Sequence, residues 1–131
     1  MSCFWDSILN KIKYEDYLKI LNFNGKPSPK EFIELLKSNN KKTENIIWNT
    51  KILSEKQYNE NYEHIKEYNS SKINKGYDCS ICDPFLLLIS ELFQINIIHI
   101  FMDIKIEYCH KENIFNNNYT IQLTSNNNHM W

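Results

Sequence analysis

The chain has 131 residues and a formal net charge of −1, with 42% apolar and 24% charged residues. That length and balance fit one globular domain, residues 1–131, with a single buried core. A near-neutral charge disfavours a nucleic-acid binder, which needs a basic excess or patch, and two glycines with three prolines exclude linker and collagen-like chains. The sequence contains no Ala, Val or Arg and is rich in Asn, Ile, Lys and Tyr. Avoidance of GC-rich codons points to an AT-rich genome of the kind found in large DNA viruses, some protozoa and some endosymbiotic bacteria.

In chain order, Cys3 to Ile12 reads as a helix, with Phe4, Ile8 and Ile12 at four-residue spacing and Trp5 and Leu9 beside them. Tyr14 to Leu21 continues the helical pattern, and Gly25 is expected to end it. Ser28-Pro29-Lys30-Glu31 is a capping box with Pro in the first turn, and Phe32, Leu35 and Leu36 supply its buried face. Ile46-Ile47-Trp48 is a short apolar anchor, strand or turn. Ser54-Glu55-Lys56-Gln57 is a second capping box, opening a polar helix to about Tyr68 with Tyr58, Tyr62 and Ile65 inward.

Asp83 is expected to cap the most apolar helix, with Pro84 in its first turn and Phe85, Leu88, Ile89 and Leu92 on one face. After Gln94 the period falls to two. Ile95 to Phe101 reads as a central strand, Met102-Asp103 as a tight turn, and Ile104 to Tyr108 as a strand with one wet face. Cys109-His110 is expected in a loop. Tyr119, Ile121 and Leu123 alternate with polar residues as another strand, and His129-Met130-Trp131 begins a last short one. Helices followed by a small sheet give an α+β fold.

The apolar stretch Pro84 to Phe101 is interrupted by Ser90, Glu91, Gln94, Asn96 and His99, too polar to span a bilayer. Met1 is followed by no basic and apolar leader. The expectation is a reduced, cytoplasmic domain, in the host cytoplasm if the source is viral, with no membrane and no nucleic-acid partner.

Two constellations carry chemistry. A thiol at a helix start, as at Cys3, meets unpaired backbone N–H groups and the positive end of the helix dipole, both of which favour the thiolate. His129 stands after a turn at the start of the last strand, and His64, His99 and His110 are its competitors as a base for that thiol. The bland alternatives are a small buried thiol near a chain end and an exposed tail histidine. The second constellation is Cys79-x-x-Cys82 with Cys109 and His110, a zinc half-site without a second half-site of similar form. No Gly-rich phosphate loop is present, and no cofactor or metal is expected.

The order of parts resembles the ovarian-tumour (OTU) family of cysteine proteases, especially its divergent viral-type members. Three stretches carry the resemblance: Ser2-Cys3-Phe4-Trp5-Asp6-Ser7-Ile8, the helix and strand DPFLLLISELFQINIIHIF of Asp83 to Phe101, and TIQLTSNNNHMW of Thr120 to Trp131. The resemblance implies a papain-like, OTU-like domain with a small, mostly antiparallel sheet packed between helices and the nucleophile at a helix N-terminus. It implies a deubiquitinase that hydrolyses isopeptide bonds after the C-terminal Gly-Gly of ubiquitin or a ubiquitin-like protein. Cys3 would be the nucleophile and His129 the general base. Two positions depart from the family pattern: Met1 and Ser2 stand where an Asp-Gly-x-Asn-like oxyanion loop precedes the Cys, and Trp131 stands two residues after the His. The third triad member is therefore unknown, with Asn126, Asn127 and Asn128 in reach by sequence, and the oligomeric state is equally open. The alternative reading is an OTU-like interaction module with degraded chemistry that binds ubiquitin or another protein.

Overall fold

The computed structural model describes residues 3–69, 79–112 and 119–125, with Cys3, 79–83 and Ser125 as backbone alone. The elements in order are α1 (Cys3–Leu9), α2 (Tyr14–Leu21), α3 (Pro29–Ser38), β1 (Ile46–Trp48), β2 (Lys51–Ile52), α4 (Glu55–Glu67), α5 (Cys79–Phe93), β3 (Asn96–Phe101), β4 (Ile104–His110) and β5 (Thr120–Ser125). This is an α+β chain with one five-stranded mixed sheet.

The helix ends show which local signals were decisive. Both capping boxes form. Ser28 Oγ accepts from the Glu31 amide at 3.2 Å while the Ser28 amide donates to Glu31 Oε1 at 3.0 Å. Ser54 and Gln57 repeat the exchange at 3.1 and 2.8 Å. α2 ends at Asn22, not at Gly25. Asn22 takes the left-handed conformation (φ 55°), and the next amide, Phe23 N–H, reaches back to the Tyr17 carbonyl at 3.1 Å. Asn tolerates that region better than other non-glycine residues, so it closes a Schellman motif. α5 starts at Cys79, four residues before the expected cap at Asp83, and Pro84 lies inside it. Proline costs the helix one hydrogen bond there. The fully buried run from Phe85 to Ile89 offsets that loss.

The strand order is β2-β1-β4-β3-β5. Two-residue turns with both central residues at positive φ, Asn49-Thr50 and Met102-Asp103, join β1 to β2 and β3 to β4. That geometry matches the strand twist, and here it is built without glycine. β2 has only two residues, both exposed, and carries no periodic signal that would announce it. β1 pairs antiparallel with β2 and β4, and β3 with β4, but β3 and β5 are parallel. The end of β4 and the start of β5 therefore both lie at the starting end of β3, where Ile97 faces Tyr108 and Asn96 faces Thr120.

One face of the sheet is buried under α5: Ile46, Ile97, His99, Tyr108, Ile121 and Leu123. On the other face Ile98, Ile100, Glu107, Cys109 and Gln122 remain half-buried or exposed. Among the described residues α5 packs on the sheet through β1, β3 and β4. Cys109 and His110 lie within β4, not in a loop, and their side chains take opposite faces.

The helices meet in an aromatic cluster. Trp5 packs edge-on against Phe85 (centroids 4.8 Å apart) and Phe32 (6.1 Å), and Phe32 continues to Tyr17 (6.0 Å) and Phe93 (6.2 Å). Phe32 is fully buried at the centre of that network. Phe32→Ala should lower stability by about 3–5 kcal/mol in urea unfolding, the range for a large core aromatic. Ser54→Ala should cost about 1 kcal/mol through loss of the cap. Lys30→Ala, on the exposed side of α3, should stay within about 0.5 kcal/mol of wild type.

Candidate functional site

Cys3 is the first residue of α1, and packing of the later residues holds that helix in place. Trp5 fixes its first turn against Phe85 in the N-terminal half of α5. At the other end the Leu9 carbonyl accepts from Tyr17 Oη at 2.7 Å, and Tyr17 lies 6.3 Å from Phe93, the last residue of α5. α1 is thus held against α5 through the aromatic cluster at Trp5 and, by way of Tyr17, at Leu9.

α5 turns through Gln94 (φ 55°) into β3, with Ser90 Oγ donating to the Ile95 carbonyl at 2.7 Å across the corner. β3 runs back along α5, and β5 runs parallel to β3. The base of β5 is pinned beneath α1. Tyr119 Oη donates to Asp16 Oδ2 at 2.5 Å and accepts from the Lys13 amide at 3.3 Å, with the Lys13 ammonium 4.6 Å from the ring centroid. The start of β5 thus lies beside the corner between α1 and α2. His129 stands four positions beyond Ser125, a reach of at most about 14 Å. His129 itself, Asn126 to Asn128 and Trp131 lie outside the described residues, as does the Cys3 side chain.

The competing histidines are placed elsewhere. His64 is exposed on α4. His99 is buried in mid-sheet, edge-on to Phe101 at 6.5 Å. His110 is buried at the end of β4, where its Nδ1 accepts from the Glu112 amide at 3.0 Å. That bond fixes Nδ1 as an acceptor at the end of the sheet away from Ser125.

The described thiol is unsuited to attack: burial, then the Glu107 carboxylate, push the Cys109 thiol up, which disfavours its thiolate. Cys79 and Cys82 fall in the first two turns of α5, their side chains outside the described part. Cys109 and His110 face opposite sides of the sheet and do not converge on one ion. Among the described residues no group of three metal-ligating side chains occurs, and no helix is long and apolar enough to cross a membrane.

Two arrangements near α1 are not evident from the sequence. Ser7 and Lys11 follow Cys3 at successive four-residue steps, Ser7 within α1 and Lys11 in the turn just past its end. Lys11 Nζ donates to the buried Ser7 Oγ at 2.9 Å, and burial lowers the Lys11 ammonium from its ordinary value. The four-residue spacing was the available signal. The clamp of Tyr119 with Lys13 and Asp16 joins residues more than a hundred positions apart, and no local pattern foretells it. Comparison with protein-family models, with curated proteins and with solved structures finds no match.

The clamp gives a pH prediction. Burial, then the hydrogen bond to Asp16, raise the Tyr119 phenol above its usual range, and burial does the same for Tyr17. A phenol whose pKa is raised by folding contributes stability that is present below the unfolded value, near 10, and lost as pH climbs through the folded value. Tyr119→Phe should lower the stability by about 1.5–3 kcal/mol at neutral pH, the scale of a hydrogen bond to a charged group. It should also flatten the loss of stability above about pH 10. Urea midpoints measured on either side of that pH test both effects.

Proposed function

We propose that the chain is an OTU-like cysteine protease acting as a deubiquitinase, with Cys3 as nucleophile and His129 as general base. What supports this reading is Cys3 as the first residue of α1, with Tyr119, at the foot of β5, bonded to Asp16 and Lys13 just beyond that helix. β5 is the strand that precedes His129 in the sequence, so the segment carrying the proposed base is tethered beside the element carrying the proposed nucleophile.

In the proposed reaction His129 takes the Cys3 proton, and the thiolate attacks the carbonyl carbon of the C-terminal glycine of ubiquitin. The tetrahedral intermediate collapses as His129 returns the proton to the leaving lysine amine, breaking the C–N bond and leaving a thioester on Cys3. Water, deprotonated by His129, then attacks the thioester and frees the carboxylate and the thiol. The first turn of α1 presents backbone N–H groups without intrahelical partners beside Cys3, which favour the thiolate and the developing oxyanion.

A second reading arises from the residues before the Cys. Met1 and Ser2, directly before Cys3, do not match the Asp-Gly-x-Asn-like motif of the family, and loss of a single oxyanion donor costs about 10²–10³ in rate. On that reading the domain binds ubiquitin or another protein without turning it over.

The deciding experiment is reaction with ubiquitin bearing a C-terminal thiol-reactive warhead, read by intact mass. The protease should give a one-to-one adduct that Cys3→Ala abolishes and His129→Ala slows by about a hundredfold or more, the usual contribution of a general base. A folded wild type that binds ubiquitin without an adduct would select the interaction module. A folded protein that does neither would remove the ubiquitin reading altogether.

A further inference from the structure

A second cavity lies away from α1. It has a volume of about 190 Å³ and is lined by Trp48 of β1, Leu53 of the link to α4, Gln57, Glu60 and Asn61 of α4, and Leu87 of α5. Trp48 also lines a neighbouring hollow with Asn49, Lys51 and Ile106, so the indole stands as a wall between the two. Leu53 and Leu87 are buried and make an apolar base. Gln57, Glu60 and Asn61 recur at three- and four-residue steps and therefore share one face of α4.

The combination of an aromatic wall, a carboxylate and an apolar base selects for a cation on an alkyl stem. An indole attracts an ammonium through its ring quadrupole, and the carboxylate adds a charge-assisted hydrogen bond. Glu60 meets Lys56 only at 4.0 Å, with the side chains 55% and 85% exposed, and such a surface pair is worth little and is readily exchanged. The volume has room for about six water molecules, matching a short alkylammonium rather than a nucleotide or a folded loop.

We propose that this cleft binds a primary alkylammonium, with Trp48 as the aromatic wall and Glu60 as the counter-charge. Lysine side chains and polyamines share that chemistry. The proposal is independent of the reaction assigned to Cys3.

The test is a titration of the isotope-labelled full chain with n-butylammonium, followed through the Trp48 indole N–H resonance and the α4 amides. n-Butanol serves as the uncharged control. Butylammonium should give saturable shifts at Trp48 and at Gln57 to Asn61 that butanol does not reproduce. Glu60→Gln, an exposed position that leaves the fold intact, should weaken binding about tenfold or more, as expected for a hydrogen bond to a charged group. Nα-acetyl-lysine methylamide and spermidine then separate the sources: tighter binding of the first favours a polypeptide lysine, of the second a polyamine. Absence of saturable shifts, equal shifts with butanol, or an unchanged affinity in Glu60→Gln would each overturn the proposal.

Discussion

The edge-on contact of Trp5 with Phe85 is the constraint on which the arrangement depends. It fixes the first turn of α1 to the N-terminal half of α5, so the placement of α1 rests on α5 and not on its own seven residues. A helix that short has no independent stability in water. Its order comes from burying Phe4, Trp5, Ile8 and Leu9 against the aromatic cluster, and Phe32 extends the cluster to α2 and to the end of α5. The apolar run of α5 serves both layers, since the same helix also covers the sheet.

From that contact the geometry of the candidate site is built in steps. α5 returns through the left-handed Gln94 into β3, and β3 fixes the direction of β5 by parallel pairing. Tyr119 then ties the start of β5 to the corner between α1 and α2. Each step is a short, specific interaction, and together they hold β5 to the corner between α1 and α2.

The polar groups divide by role. Asn45 and Glu91 form a network that knits the end of β4 to the start of β1 and to α5, with the Asn45 side-chain amide donating to Glu91 at 3.1 Å and the Asn45 backbone carbonyl accepting from the Lys111 amide at 2.8 Å. Buried polar groups must find partners, and this network meets that demand without presenting a reactive atom. The open face of the sheet carries Cys109, a thiol whose environment disfavours ionisation. The proposed nucleophile belongs instead to the start of α1, and the proposed counter-charge to the cleft beside Trp48.

The sequence by itself determined the local events. Ser28-Pro29-Lys30-Glu31 and Ser54-Glu55-Lys56-Gln57 dictate helix starts because their donors and acceptors lie within four residues. The alternation of Ile104 to Tyr108 and of Tyr119 to Leu123 dictates strands with one buried face because side chains alternate at every residue. It also announced Cys3 at a helix start. What only the tertiary structure decided is long-range: alternation assigns the face of a strand and leaves its direction open, so the parallel pairing of β5 with β3 was not legible. The start of α5 at Cys79 was hidden because proline signals a helix beginning locally, while burial of a whole face overrides that signal. Tyr119 found Asp16, and Trp48 the polar face of α4, only when the core brought distant segments together.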